Sequence, residues 1–236
     1  MSCDAWAATV LTLFPGMFPG PLGQSLLGKG LTNGLWSLDV RDIRDHGIGK
    51  HRTVDDSPAG GGPGMVLRAD VVANAIDAVP RANRPLIYLS PRGAPLTQAI
   101  VRDLAAGPGA ILLCGRFEGL DERVIQARQI VEISLGDFVL AGGEIAAMAL
   151  IEAAVRLIPG VLGDHASTRD ESFSAGLLEY PQYTRPQDFE GRMIPEVLNN
   201  GNHLEISKSR QAWAQALTQA RRPDLWAAYK KDEKPS

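Results

Sequence analysis

Short apolar runs alternate with segments of helical period along most of this chain. Residues 7–14 read as a buried strand stopped by Pro15 and Gly16. Trp36, Leu38 and Val40 alternate with Ser37, Asp39 and Arg41, which predicts a strand with one polar face. A long polar loop, 46–65, precedes a helical pattern over 69–79 that stops at Pro80. The next strand is carried by Leu86, Ile87, Tyr88 and Leu89. Thr97 can cap a helix bearing Ile100, Val101 and Leu104, closed by Gly107. A strand over 111–114 follows, then a helix opened by Asp121, then a third strand ending near Leu135. Residues 144–158 form a strongly apolar helix ended by Pro159. Strands alternating with helices imply βαβ units and a mostly parallel sheet covered on both faces, an α/β fold.

The pattern changes after Pro159. Residues 160–178 show little apolar periodicity, and a loop of that length suits a linker or a lid. Tyr180 to Pro186 is a turn-rich segment. Residues 204–222 then read as a helix ended by Pro223. The expected organisation is an α/β domain over 1–162, a linker or lid over 163–178, and a small, mainly helical domain over 179–236.

Three of the apolar runs end in glycine-bearing loops: Ser90-Pro91-Arg92-Gly93, Gly115-Arg116-Phe117-Glu118-Gly119, and Gly136 through Gly142-Gly143-Glu144. Ligands of parallel sheets bind beyond the carboxyl ends of the strands, and glycine lets backbone approach them closely. The loops match neither the dinucleotide fingerprint nor the Walker phosphate loop. They read as one small-ligand site, or as tight turns. A second candidate is the loop with His46, Lys50, His51 and Arg52 followed by Gly60-Gly61-Gly62, where basic residues before a flexible tract suit phosphate contact. Arg156, at the end of the apolar helix, can complement the helix dipole or stabilise developing negative charge. Asp170 and Glu171, in the expected lid, offer carboxylates for general-base work.

Composition narrows the class. The chain has 236 residues, 44% of them apolar and 22% charged, the balance of a soluble globular protein. No apolar stretch is long enough for a membrane span, and the first residues lack the basic leader of a signal peptide. Two cysteines, Cys3 and Cys114, provide neither a disulfide framework nor a metal motif, so a reduced cytoplasmic protein is expected. The net charge of −3 argues against indiscriminate coating of nucleic acid. Charge is nevertheless segregated: residues 203–231 hold six Lys or Arg against two acids, either a phosphate-facing or a simply solvated helix.

With those residues laid out, the chain resembles the bacterial tRNA (guanine-N1)-methyltransferases of the SPOUT, trefoil-knot class. The resemblance runs over almost the whole length. It is carried by His51-Arg52-Thr53-Val54-Asp55-Asp56, Gly60-Gly61-Gly62-Pro63-Gly64-Met65, Tyr88-Leu89-Ser90-Pro91, Cys114 to Gly119, Gly136 to Leu140, Ile158 to Gly163, Tyr183-Thr184-Arg185-Pro186 and Gly201-Asn202-His203. It implies a deep trefoil knot that holds S-adenosylmethionine. The implied adenosylmethionine contacts are Tyr88, Leu89, Ser90, Pro91, Gly115, Phe117, Glu118, Gly119, Leu135, Gly136, Asp137, Phe138, Val139, Leu140, Gly142 and Gly143. The implied substrate is the guanine just 3′ of a tRNA anticodon, met by Arg52, Asp55, Gly64, Arg185 and His203. A homodimer with a shared active site and a possible need for Mg²⁺ are also implied; no metal-ligand motif is present.

Guanine N1 carries a proton, so a general base must remove it as the methyl moves, and an arginine such as Arg156 can stabilise the charge pushed toward O6. In the family the catalytic aspartate stands directly before a Ser-Phe or Ser-His pair. Here Glu171 holds that position, with Asp170 one residue earlier, and either carboxylate can serve. Phe117 and Phe138 stand where the family often has tyrosine, which keeps the stacking faces and removes the hydroxyls. Two alternatives remain: a knotted methyltransferase acting on another RNA, which needs no lid carboxylate, and an idle RNA-binding knot dimer, which would tolerate loss of Arg156 and Glu171.

Overall fold

The computed structural model describes residues 5–163 and 171–232. Contacts divide the chain into two compact units between Gly163 and Asp164. The first contains β1 (Trp6–Thr12), α1 (Ser25–Thr32), β2 (Trp36–Asp42), β3 (Asp55–Asp56), β4 (Val66–Leu67), α2 (Ala69–Asp77), β5 (Leu86–Pro95), α3 (Gln98–Ala106), β6 (Gly109–Leu113), α4 (Glu122–Arg128), β7 (Val131–Ser134) and α5 (Glu144–Val155). Five strands make one sheet in the order β2-β1-β6-β5-β7, and every neighbouring pair is parallel.

The two-residue period of a strand sorts its side chains between two cores. In β6, Ala110 and Leu112, and Cys114 just beyond it, join Ala147, Leu150, Ile151 and Ala154 of α5. Ile111 and Leu113 face the other way, onto Val71, Val72 and Ile76 of α2 and Val124 and Ile125 of α4. Each such fully buried Leu or Ile contributes about 1.5–3 kcal/mol relative to exposure. The helix starts follow local chemistry. The Thr97 hydroxyl accepts from the Ile100 N–H at 3.4 Å, and the Asp121 carboxylate accepts from the Arg123 N–H at 2.9 Å.

Three details differ from the sequence expectation. The 46–65 segment is not all loop: β3 lies inside it and pairs antiparallel with β4. The apolar helix ends at Val155, with Arg156 as its C-cap. β5 does not stop near Ser90. Leu89 and Ala94 both stand opposite Ile133, so residues 90–93 bulge out of the sheet before β5 resumes to Pro95. Gly93 makes that return possible, because a Cβ there would lie 2.3 Å from the Ile133 nitrogen.

The second unit contains β8 (Asp188–Phe189), β9 (Arg192–Met193), α6 (His203–Arg221) and α7 (Pro223–Asp232). Glu190 and Gly191 join the two strands with φ of 53° and 79°, the left-handed pair that a two-residue hairpin turn requires. The Asn202 side chain caps α6 by accepting from the Glu205 N–H. Pro223 does more than end α6: it opens α7, since proline at a first helical position gives up an N–H that has no partner there.

Candidate active site

The carboxyl ends of β6, β5 and β7, three adjacent strands, open onto one cavity of about 330 Å³. All the residues given above as adenosylmethionine contacts line it, except Asp137, which is exposed on the loop after β7. Arg92, Arg116, Leu120, Ala141 and Ala146 complete the wall together with Ile133 and Ser134.

Glycine is required where Tyr88 packs on the 115–119 loop. Tyr88, buried at 7% exposure, sends its ring between Gly115 and Gly119. A Cβ at either glycine would fall within 3.0 Å of the ring or its hydroxyl. Gly119 also has φ of +104°, a conformation that other residues rarely adopt. Burial pushes the Tyr88 phenol above its ordinary pKa, and the Glu132 carboxylate adds to the shift. Gly143 packs on the backbone of Cys114, whose own thiol is pushed well up by burial.

The strongest electrostatic feature joins two of the loops and was not singled out by sequence reasoning. Glu144, the first residue of α5, is wholly buried. Its Oε1 accepts from the Thr12 hydroxyl at 2.7 Å and from Arg116 Nε at 3.2 Å. Arg116 Nη2 lies 2.8 Å from Oε2, close as an ion pair but outside hydrogen-bond alignment. The guanidinium also donates to the Ala141 carbonyl and lies 4.2 Å above the Phe14 ring. Gly142 is the gap through which it passes: a Cβ there would sit 2.3 Å from Arg116 Nε. One arginine thus fixes the 115–119 loop against the 141–143 loop. Both residues fell inside recognised motifs, but a pairing across 28 positions has no local signature.

The remaining site residues are placed as follows. Gly64 packs against Glu118, where a Cβ would meet the carboxylate at 2.3 Å. The Glu118 N–H donates to the Met65 carbonyl, and the Leu67 N–H donates to that of Gly119, so the glycine tract is tethered beside the cavity. Asp55 lies in β3, and Arg52 is exposed and paired with Asp45 at 3.0 Å. Arg156 sits at the far end of α5 from Gly143. Thirteen residues at 1.5 Å each put about 20 Å between them, beyond the reach of an arginine side chain. Asp170 lies outside the described residues. In the second unit, Glu171 and His203 line one cavity of about 200 Å³. Arg185 is exposed, before Pro186. Among the described residues, no group of three His, Cys, Asp or Glu side chains stands ready to hold a metal ion. Nor is any described helix long and apolar enough to cross a membrane.

A parallel sheet with a glycine-walled cavity at the ends of three neighbouring strands is the architecture of an α/β protein that binds a small ligand there. The family is shown by comparison: the model of the tRNA (Guanine-1)-methyltransferase family matches residues 7–228, and the chain belongs to that family. It is 67% identical over 224 residues to the "tRNA (guanine-N(1)-)-methyltransferase" of Rhodopseudomonas palustris strain HaA2, covering 94% of this chain and 89% of that one. The proteins of the same name from Nitrobacter winogradskyi and Cereibacter sphaeroides are 66% and 61% identical. Those matches cover 94% and 95% of this chain, and 94% and 93% of theirs.

Proposed function

We propose that this chain transfers the methyl group of S-adenosylmethionine to N1 of the guanine just 3′ of a tRNA anticodon. The observation that carries the reading is the cavity at the ends of β5, β6 and β7, in a chain of this family. Its walls suit adenosylmethionine in two ways. Gly115, Gly119, Gly142 and Gly143 put backbone on its wall, and among the described residues of the lining Glu118 is the only carboxylate, fit to face a cationic donor. When bound, that donor supplies an already activated methyl group.

The protein's own part is proton removal, charge stabilisation and positioning. Glu171 takes the N1 proton, with Asp170 the alternative base, and a positioned base is worth roughly 10²–10⁴-fold. Arg156 stabilises the charge that develops toward O6. The length of α5 supports a homodimer with a shared site: Arg156 cannot reach the cavity at the other end of its own helix, so it serves the partner's. The exposed Phe117, Phe138, Val139 and Ile145 at and beside the cavity rim suit a surface that becomes covered. The knot implied by the resemblance would tie together segments that pack side chain against glycine, Arg116 on Gly142 and Tyr88 on Gly115 and Gly119. The helical second unit binds the tRNA, with Arg185 and His203 among its contacts, and the reaction belongs to the cytoplasm. A need for Mg²⁺ finds no ligand set among the described residues, and no step is assigned to it.

The test is methyl transfer from labelled adenosylmethionine to tRNA transcripts carrying guanine or adenine after the anticodon. Only the guanine transcript should be labelled; equal labelling would overturn the substrate. E171Q should lose transfer and keep adenosylmethionine binding. If E171Q turns over normally and D170N does not, Asp170 is the base.

A further inference from the structure

Among the described residues, the cavity that holds Glu171 carries one guanidinium on its wall, that of Arg210. Glu171, Ser174, Glu179, Tyr180, His203 and Arg210 surround it. His203 and Arg210 are seven residues apart on α6, so they share a face of the helix. The Arg210 guanidinium lies 4.7 Å over the Tyr180 ring. Its Nε is buried without a hydrogen-bond partner among the described residues. A buried donor left unmade is costly, and arginine forks match phosphate oxygens. The Glu179 carboxylate accepts a hydrogen bond from the Gln182 amide. Along α6 and α7, Lys208, Arg221, Arg222, Lys230 and Lys231 stand with Arg210 against Glu205, Asp224 and Asp232.

We propose that this cavity takes a phosphodiester group of the tRNA strand beside the target guanine, with Arg210 as its ligand and the Tyr180 ring as the platform that aims the guanidinium. The inference rests on the reading of Glu171 as the base, because that places the target nucleotide at the same cavity. Arg210 contacts substrate but takes no proton. Its loss weakens RNA binding and leaves adenosylmethionine binding intact.

The experiment compares wild type with R210M, which keeps the stem that packs on Tyr180, and R210K, which keeps a charge. Binding of an anticodon stem-loop RNA is measured against salt. R210M should bind about tenfold more weakly, since hydrogen bonds to charged groups carry that much. The slope of log affinity against log salt should fall by about 0.7, the share of one phosphate on a single strand. R210K should keep the slope. A second measurement uses stem-loops with a neutral methylphosphonate at each position near the target guanine. One position should weaken wild-type binding and make no difference to R210M. If R210M matches wild type in affinity and slope, or if no methylphosphonate loses its effect in R210M, the inference is overturned. Failure of the underlying reading looks different: E171Q would then still methylate the guanine transcript, whatever R210M does to RNA binding.

Discussion

Removing Arg116 tests the electrostatic joint between the loops. Glu144 is 0% exposed, and its two named partners are the Thr12 hydroxyl and the Arg116 guanidinium. R116M takes away the cation and keeps most of the stem, so a buried carboxylate is left with one neutral donor. Breaking a buried pair from one side costs about 3–5 kcal/mol. For a protein of this size that lowers Tm by about 6–20 °C. The measurement is urea unfolding read by labelling of Cys114, which is fully buried in the first unit, in a C3S background. The cost should be relieved in R116M/E144Q, because the second change removes the stranded charge; the two effects are then strongly non-additive. A loss below about 1 kcal/mol in R116M, or no relief in the double variant, would refute the reasoning.

Three further outcomes follow from the same geometry. G142A forces a methyl group into Arg116 and should destabilise by about 1–3 kcal/mol, with most of that cost absent in an R116A background; equal costs in both would separate Gly142 from the arginine. The Tyr88 phenol has its folded pKa raised above the ordinary 10.0, so its contribution is complete below that value and is lost as pH rises through the folded one. Phenolate absorbance should accordingly show a step above pH 10 that Y88F lacks. The Arg128 hydrogen bond holds the Asp77 carboxyl below its ordinary value, so its contribution is present at neutral pH and lost as pH falls below about 4. D77N should therefore be less stable than wild type at neutral pH, and the gap should close in acid.

Much of the first unit was legible because buried parallel strands and their helices carry period and caps in sequence. Thr97 and Asp121 announce α3 and α4 at the residue where each begins. The cavity was legible because glycines cluster where three strands end. The joint beneath it was not. Glu144 reads as an acid opening a helix, which the helix dipole alone would explain, and nothing near it in sequence points to Arg116 or Thr12. The bulge in β5 was hidden because Ser90-Pro91 ordinarily ends a strand. α7 was missed because proline signals a stop more loudly than a start. The Arg210 wall depends on a Tyr180 ring thirty residues away, beyond any helical or strand period.

The bulge in β5 also fixes a length. Leu89 and Ala94 face the same residue of β7, so the four positions between them form a closed count. Adding one residue would push chain into the cavity. Removing one would pull the strand through its register and turn apolar side chains to the wrong face of the sheet. Insertion and deletion are closed there whatever residues fill the four positions. Aligned relatives should therefore carry no gap between 89 and 94.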